Sequence, residues 1–198
     1  MNLIRSEKIT VRDGRSLLDV RGSNFDAVLL IDGRPLLYHW SDCMGSVAQY
    51  LVYSMTPDAA QTVLSFRASF GSAAIGDASL ALYLAPVLPA LAPSEYALNY
   101  YEAPQAYDIV EFDNRWDVTK DAVGYYPGCA SFVTTQPTSS LSGERISFYE
   151  QRIQKGERPI LLTVSVEEGW SDFVIDGHHK LAAYTRTHTP PHYLSIQR

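Results

Sequence analysis

Short apolar runs broken by Asp-Gly pairs dominate the first forty residues. In KITVRDGRSLLDVRG (8–22) the break is Asp13-Gly14, and in FDAVLLIDGRPLLYHW (25–40) it is Asp32-Gly33. Asp-Gly between two such runs predicts a β-hairpin, because a tight turn needs backbone conformations that these residues tolerate. Two hairpins or a small meander are therefore expected. In CMGSVAQYLVYSM (43–55), Val47, Tyr50, Leu51 and Met55 fall at helical spacing. TPDAAQTVLSFRASF (56–70) opens with Thr56 as a helix cap and Pro57 at the first helical position. Helix is the expectation for both stretches, although TVLSFRASF also alternates like a strand.

Residues 77–105 are rich in Ala, Leu and Tyr and are interrupted by Pro86, Pro89, Pro93 and Pro104. Short helices joined by turns are expected there, because proline breaks a helix interior. YDIVEFDNRW (107–116) reads as a strand running into a loop, and YYPGCASFVTT as a Pro-Gly turn with a short strand. TTQPTSSLSG (134–143) is the best linker in the chain, separating a part at 1–135 from a unit at 140–198 that together could make one compact domain. The texture then changes. Ile146, Tyr149 and Ile153 share a helical face, with Gly156 as the stop. PILLTVSV (159–166) reads as a buried strand, DFVI (172–175) as another, HHKLAAY as a helix, and HYLSIQR as a closing strand with His192, Leu194 and Ile196 on one face. The fold class expected is α+β, with a C-terminal α/β unit packed on a β-rich N-terminal part that carries short helices.

Composition narrows the functional classes. The chain has 198 residues, 46% hydrophobic and 19% charged, enough for a packed core. A net charge of −6 argues against general nucleic-acid binding, which needs clustered Lys and Arg. Cys43 and Cys129 lie in no metal-binding spacing and are expected as two free buried thiols, with one disulfide as the alternative. The most apolar stretch, residues 78–93, holds 16 residues and three prolines, whereas a membrane helix needs about 20 apolar residues. With no leader-like N-terminus, a cytoplasmic protein without a membrane or nucleic-acid partner is expected.

The stretch with chemistry is FVIDGHHKLAAY (173–184). A strand ends at Ile175, Gly177 turns the backbone, and a helix begins at the histidine pair. Free N–H groups and the positive end of the helix dipole make such a junction suited to anions. Lys180 adds a full charge, and His178 and His179 add donors. Asp176 could cap the helix, hold Mg²⁺, or accept the proton of a substrate hydroxyl. The plain alternatives are an N-cap for Asp176, internal hydrogen bonds for the histidines and a solvated surface charge for Lys180.

VIDGHHKLAAY, with its flanks ERISFYEQRIQKGERPILLTV and HYLSIQR, resembles the ParB/sulfiredoxin-like superfamily over residues 140–198. It resembles the D-G-H-x-R type of the ParB-like free serine kinases and the D-G-H-H-R type of related uncharacterised proteins. The resemblance implies that Gly177, His178, His179 and Lys180 bind the phosphates of ATP or ADP, or of CTP. It implies that Asp176 assists phosphoryl transfer to a small hydroxyl substrate as base or Mg²⁺ ligand. Glu144 and Glu150 on the upstream helix are the candidates for the second acid. His178 stands where sulfiredoxins carry Cys, which argues against sulfinic acid reduction. Lys180 stands where Arg is usual and lacks its bidentate fork. Two rivals remain. One is a transition-metal site drawn from His178, His179, His188 and His192. The other is a non-enzymatic protein-interaction role, such as an immunity protein that binds a toxin, with the ParB-like unit as scaffold.

Overall fold

The Asp-Gly signals lead to two different outcomes. Asp32 (φ 51°) and Gly33 (φ 70°) form the tight turn between strands β3 (Asp26–Ile31) and β4 (Arg34–Asp42), as expected. Asp13-Gly14 makes no hairpin. Strand β1 (Asn2–Val11) and strand β2 (Leu18–Gly22) belong to different sheets, and the link between them is held by Arg15 and Ser16, whose N–H groups donate to the carbonyls of Pro89 and Leu91. A signal for a turn does not say whether the two runs it joins pair with each other. The structure, a computed structural model, describes residues 1–23, 25–42, 47–52, 61, 75–111, 123–125, 131–169 and 171–198, without the side chains of 41–42, 47–52 and 123–125.

Among the described residues the chain is α+β, with two sheets. The five-stranded sheet is antiparallel, in the order β2-β3-β4-β5-β8, with β5 at Val47–Val52 and β8 at Val123–Tyr125. The expectation of a helix at 43–55 is thus corrected at β5, which pairs with β4 and β8. Its Val and Tyr residues suit a pleated surface, and two flanking ladders override a helical spacing of only a few positions. Residues 56–70, Gln61 apart, and both cysteines lie outside the described residues.

The second sheet has seven strands, in the order β1-β6-β12-β10-β11-β9-β7. Its further members are β6 (Ser94–Glu102), β7 (Asp108–Val110), β9 (Ser131–Thr134), β10 (Leu161–Ser165), β11 (Ser171–Asp176) and β12 (His192–Gln197). It is mixed: β10 runs parallel to β12, and β9 parallel to both β11 and β7. β6 is a second correction. Helix α1 (Leu80–Leu84) and a 3₁₀ turn at Leu88–Ala90 do occupy the proline-rich stretch, but residues 94–102 form a strand. It is bonded on both sides, by β1 and β12, so its Ala and Leu content does not decide its state.

One face of the seven-stranded sheet packs on the five-stranded sheet and on α1. Leu98, Leu162, Phe173, Ile175, Leu194 and Ile196 meet Leu18, Leu29, Ile31, Leu37 and Leu80 there. Full burial of each such side chain stabilises the fold by roughly 1.5–3 kcal/mol. The opposite face carries helix α3 (His178–Arg186), whose Leu181 packs with Phe132, Leu161, Val174 and Tyr193. Helix α2 (Gly143–Gln154) lies on α3 through Ile146, Tyr149, Ile153, Ala183 and Tyr184, the face read from its spacing. The run 134–143 is built into this arrangement: Thr134 and Thr135 are buried, and Ser142 caps α2 by accepting from the Arg145 N–H. Strands from both sides of that run share the seven-stranded sheet. Among the described residues no helix is long and apolar enough to cross a membrane.

Candidate functional site

The Asp176–Lys180 element lies at the end of β11. Two local devices set its geometry. First, the β10–β11 ladder shifts register, pairing Thr163 with Val174 but Leu162 with Asp176. Such a bulge re-aims a side chain at a strand end. It brings Asp176 to the Leu162 face, the side covered by α1, rather than to the face of Val174. Second, Gly177 adopts φ 102°, a conformation L side chains rarely take. A Cβ there would also lie 2.8 Å from Leu161 Cδ2. The strand can therefore turn into α3 within one residue.

Each side chain of the motif is tied to another part of the chain. His178 is 4% exposed, and its Nε2 accepts the N–H of Thr135 at 3.1 Å. Its proton therefore sits on Nδ1. His179 Nε2 likewise accepts the N–H of Ser142, at 3.1 Å, at the cap of α2. Lys180 is 3% exposed and donates to the carbonyl of Ile160 at 2.8 Å and to Asp176 Oδ2 at 2.9 Å. The Tyr149 ring lies 6.0 Å from its Nζ. The structure thus brings Asp176, Gly177 and Lys180 together, and sets the two imidazoles against backbone N–H groups of neighbouring segments. Glu144 is exposed in the first turn of α2, and Glu150 pairs with Arg186 at 3.4 Å near the far end of α3.

Asp176 acts on Tyr83, Tyr100 acts on the same phenol, and beside Tyr100 lies His192, which the sequence offered only as a candidate metal ligand. Tyr100 Oη lies 2.7 Å from His192 Nδ1, and His192 Nε2 faces Glu102 Oε1 at 3.8 Å. A proton on Nε2 then faces the carboxylate, and Nδ1 accepts from the phenol. Burial holds His192 below the usual imidazole range, countered by Glu102 and reinforced by Arg158. Burial pushes Tyr83, on α1, up to about 12, with Asp176 and Tyr100 adding to the effect. Burial also raises Tyr100, with Glu102 acting the same way and the charges of Arg5 and Arg158 acting against it. At neutral pH the rim therefore presents protonated phenols and a neutral imidazole around a carboxylate–ammonium pair. No motif announces Tyr83, Tyr100 or Arg158. The hints were the thirteen tyrosines and, for His192, its place in a cluster of four histidines and on one face of the closing strand with Leu194 and Ile196.

No group of three His, Cys, Asp or Glu residues suited to a metal ion occurs among the described residues. Asp176 Oδ1 makes no hydrogen bond to a described residue, so a single carboxylate oxygen remains for Mg²⁺. That suits an ion carried by a nucleotide, because Mg²⁺ is held by one or two carboxylates together with phosphates and water.

No protein-family model matches the chain, and neither a curated protein nor a solved structure matches it.

Proposed function

We propose that the chain binds nucleotide phosphates at the rim of the Asp176–Lys180 pair and transfers a phosphoryl group to a small hydroxyl acceptor. The observation that carries this reading is the solvent-shielded Lys180–Asp176 pair at 2.9 Å, whose carboxylate acts on Tyr83, with Tyr100 acting on the same phenol. Lys180 and Arg158 supply the positive charge for phosphate oxygens. Asp176 has Oδ2 bound to Lys180, and its side chain is 14% exposed, so Oδ1 is the oxygen placed to take the acceptor's proton. ATP with Mg²⁺ supplies the phosphoryl group. As the acceptor oxygen bonds to phosphorus, the bond to ADP breaks and the proton passes to Asp176. His178 and His179 serve by holding the junction rigid against Thr135 and Ser142.

A second reading rests on those same tethers. With both imidazoles bonded to backbone and Lys180 buried, the junction serves equally as a scaffold for a protein-interaction role. Calorimetric titration of ATP, ADP and CTP, each with Mg²⁺, separates the two. The enzyme reading expects binding by the wild type that weakens at least about tenfold in Asp176→Asn and in Arg158→Ala, the loss of one charge-assisted contact. Absence of heat for all three nucleotides at millimolar concentration would leave the scaffold reading in possession.

A further inference from the structure

Arg5 on β1 is a cation with an incomplete set of partners among the described residues. Its Nη1 donates to the carbonyl of Gly76 at 3.1 Å, which engages one corner of the guanidinium. Its Nε and Nη2 are shielded from solvent and have no hydrogen-bond partner among the described residues. These two atoms form the side-on edge of the guanidinium, where two parallel N–H bonds match the two oxygens of a carboxylate or phosphate. Leaving a buried donor unpaired costs roughly 1–3 kcal/mol, so two on one edge call for an acceptor.

The orientation of Arg5 is built in. The β1–β6 ladder pairs Leu3 with Tyr101 and then Arg5 with Tyr100, so Ile4 is an extra residue and stands 47% exposed. Without that bulge Ile4 would face Tyr100 and Arg5 would point to the other side of the sheet. Instead Arg5 shares the face of Tyr100, and its charge acts on that phenol together with Arg158. Both register shifts described here, this one and the one at Asp176, thus turn a charged residue onto the same face of the sheet. The nearest acid on β1 is already engaged. Glu7 accepts from Ser79 Oγ at 2.7 Å and from the Leu80 N–H at 2.8 Å, capping α1.

We propose that Arg5 is an oxyanion-binding residue whose Nε–Nη2 edge takes a carboxylate or phosphate of the ligand beside Tyr100. This rests on the reading of the rim as a ligand site and names the chemistry of the group bound there. The ligand carries an anionic end with two coplanar oxygens, either a phosphate of the nucleotide or the acceptor's own carboxylate.

The test is a ¹H–¹⁵N spectrum of the arginine Nε–H groups, with Arg5 assigned from Arg5→Lys, during titration with inorganic phosphate, with acetate and with Mg-ATP. The expected result is a saturable shift of the Arg5 resonance. A shift with phosphate and ATP assigns the edge to phosphate, and a shift with acetate alone assigns it to an acceptor carboxylate. Arg5→Lys keeps the charge and loses the fork, so binding of the effective ion should weaken at least about tenfold while the melting temperature is maintained. No shift with any of the three at millimolar concentration overturns the inference. If nucleotides bind in an Arg158-dependent manner and Arg5→Lys binds them unchanged with no acetate response, Arg5 falls and the proposed function stands. If phosphate or acetate saturates Arg5 while no nucleotide binds, the proposed function falls and the oxyanion site stands.

Discussion

Asp172 and Asp176 stand four residues apart on β11 in opposite surroundings. Asp172 lies at the second position of the strand and is buried, and Oδ1 accepts from Thr163 Oγ1 at 2.8 Å and from Ser195 Oγ at 2.7 Å. Ser165 Oγ lies 3.1 Å from Ser195 Oγ and donates to it, since the Ser195 proton goes to Asp172. No cation takes part in this network. Burial pushes the Asp172 carboxyl up, and the hydroxyls only partly offset it. Asp176 lies at the strand end, bonded to an ammonium and next to titratable phenols. A carboxylate that faces its neighbouring strands reaches what they present across the ladder, which here is a row of hydroxyls. A strand-end carboxylate can also reach side chains of the following helix and of elements capping the sheet. The first arrangement holds strands in register, and the second can exchange a partner with a ligand.

The largest effect on this contrast should come from Lys180→Met, which leaves Asp176 without its cation and Ile160 without its donor. Breaking one side of a buried pair typically costs about 3–5 kcal/mol, and the partial exposure of Asp176 places this variant at the low end. Urea unfolding should show the loss, and Asp176→Asn added to Lys180→Met should restore part of it. A single variant as stable as wild type would mean that the pair is a surface contact. Next comes Gly177→Ala, which forces a side chain into a positive φ and against Leu161; roughly 1–3 kcal/mol is expected, read from the same denaturation midpoint. Ser195→Ala removes one of two direct hydroxyl donors to Asp172 and should cost about 1 kcal/mol, less than Lys180→Met because the bond it removes involves no cation. A cost equal to that of Lys180→Met would erase the distinction between the two carboxylates.

The subtlest variant is Asp172→Asn, which matters through pH. With its folded pKa raised, Asp172 keeps its proton after the unfolded chain has released its own. The unfolded state then binds fewer protons, so wild-type stability falls as pH rises from about 4 through the raised value. Asp172→Asn has no such proton to lose, and its amide oxygen can still accept from Thr163 and Ser195. The difference between variant and wild type should therefore shift in the variant's favour from pH 4 to pH 7. Parallel stability curves would show that Asp172 titrates as an ordinary carboxyl.

The parts legible in the sequence were those fixed by local signals. The β3–β4 turn follows from Asp32-Gly33, α2 from its spacing and stop, and β10, β11, α3 and β12 from sharp boundaries between apolar runs. β5 and β6 were misread because both are held by ladders to strands far away in sequence, and local composition says nothing of a distant partner. The motif's residues were visible, but their hydrogen-bond partners were not. Thr135, Ser142 and Ile160 are brought to them only by the packing of β9, α2 and β10. Arg5 and Asp176 owe their direction to bulges, which add one residue to a ladder whose existence must first be known. Tyr83, Tyr100 and His192 come from three separate segments, and no spacing in the chain connects them.

The position of β12 bears on how the chain is made. It is the latest in sequence of the seven strands, yet it lies third in their order, between β6 and β10. While the polypeptide is being synthesised, β1–β6 and β10–β11–β9–β7 are therefore two unjoined pieces, each with an open edge where β12 will insert. Unpaired edges are templates for mispairing, and long-range pairing of this kind closes slowly. The nascent chain should be most vulnerable to aggregation in the interval before residue 197 clears the ribosome, when chaperone shielding of those two edges has the most to protect.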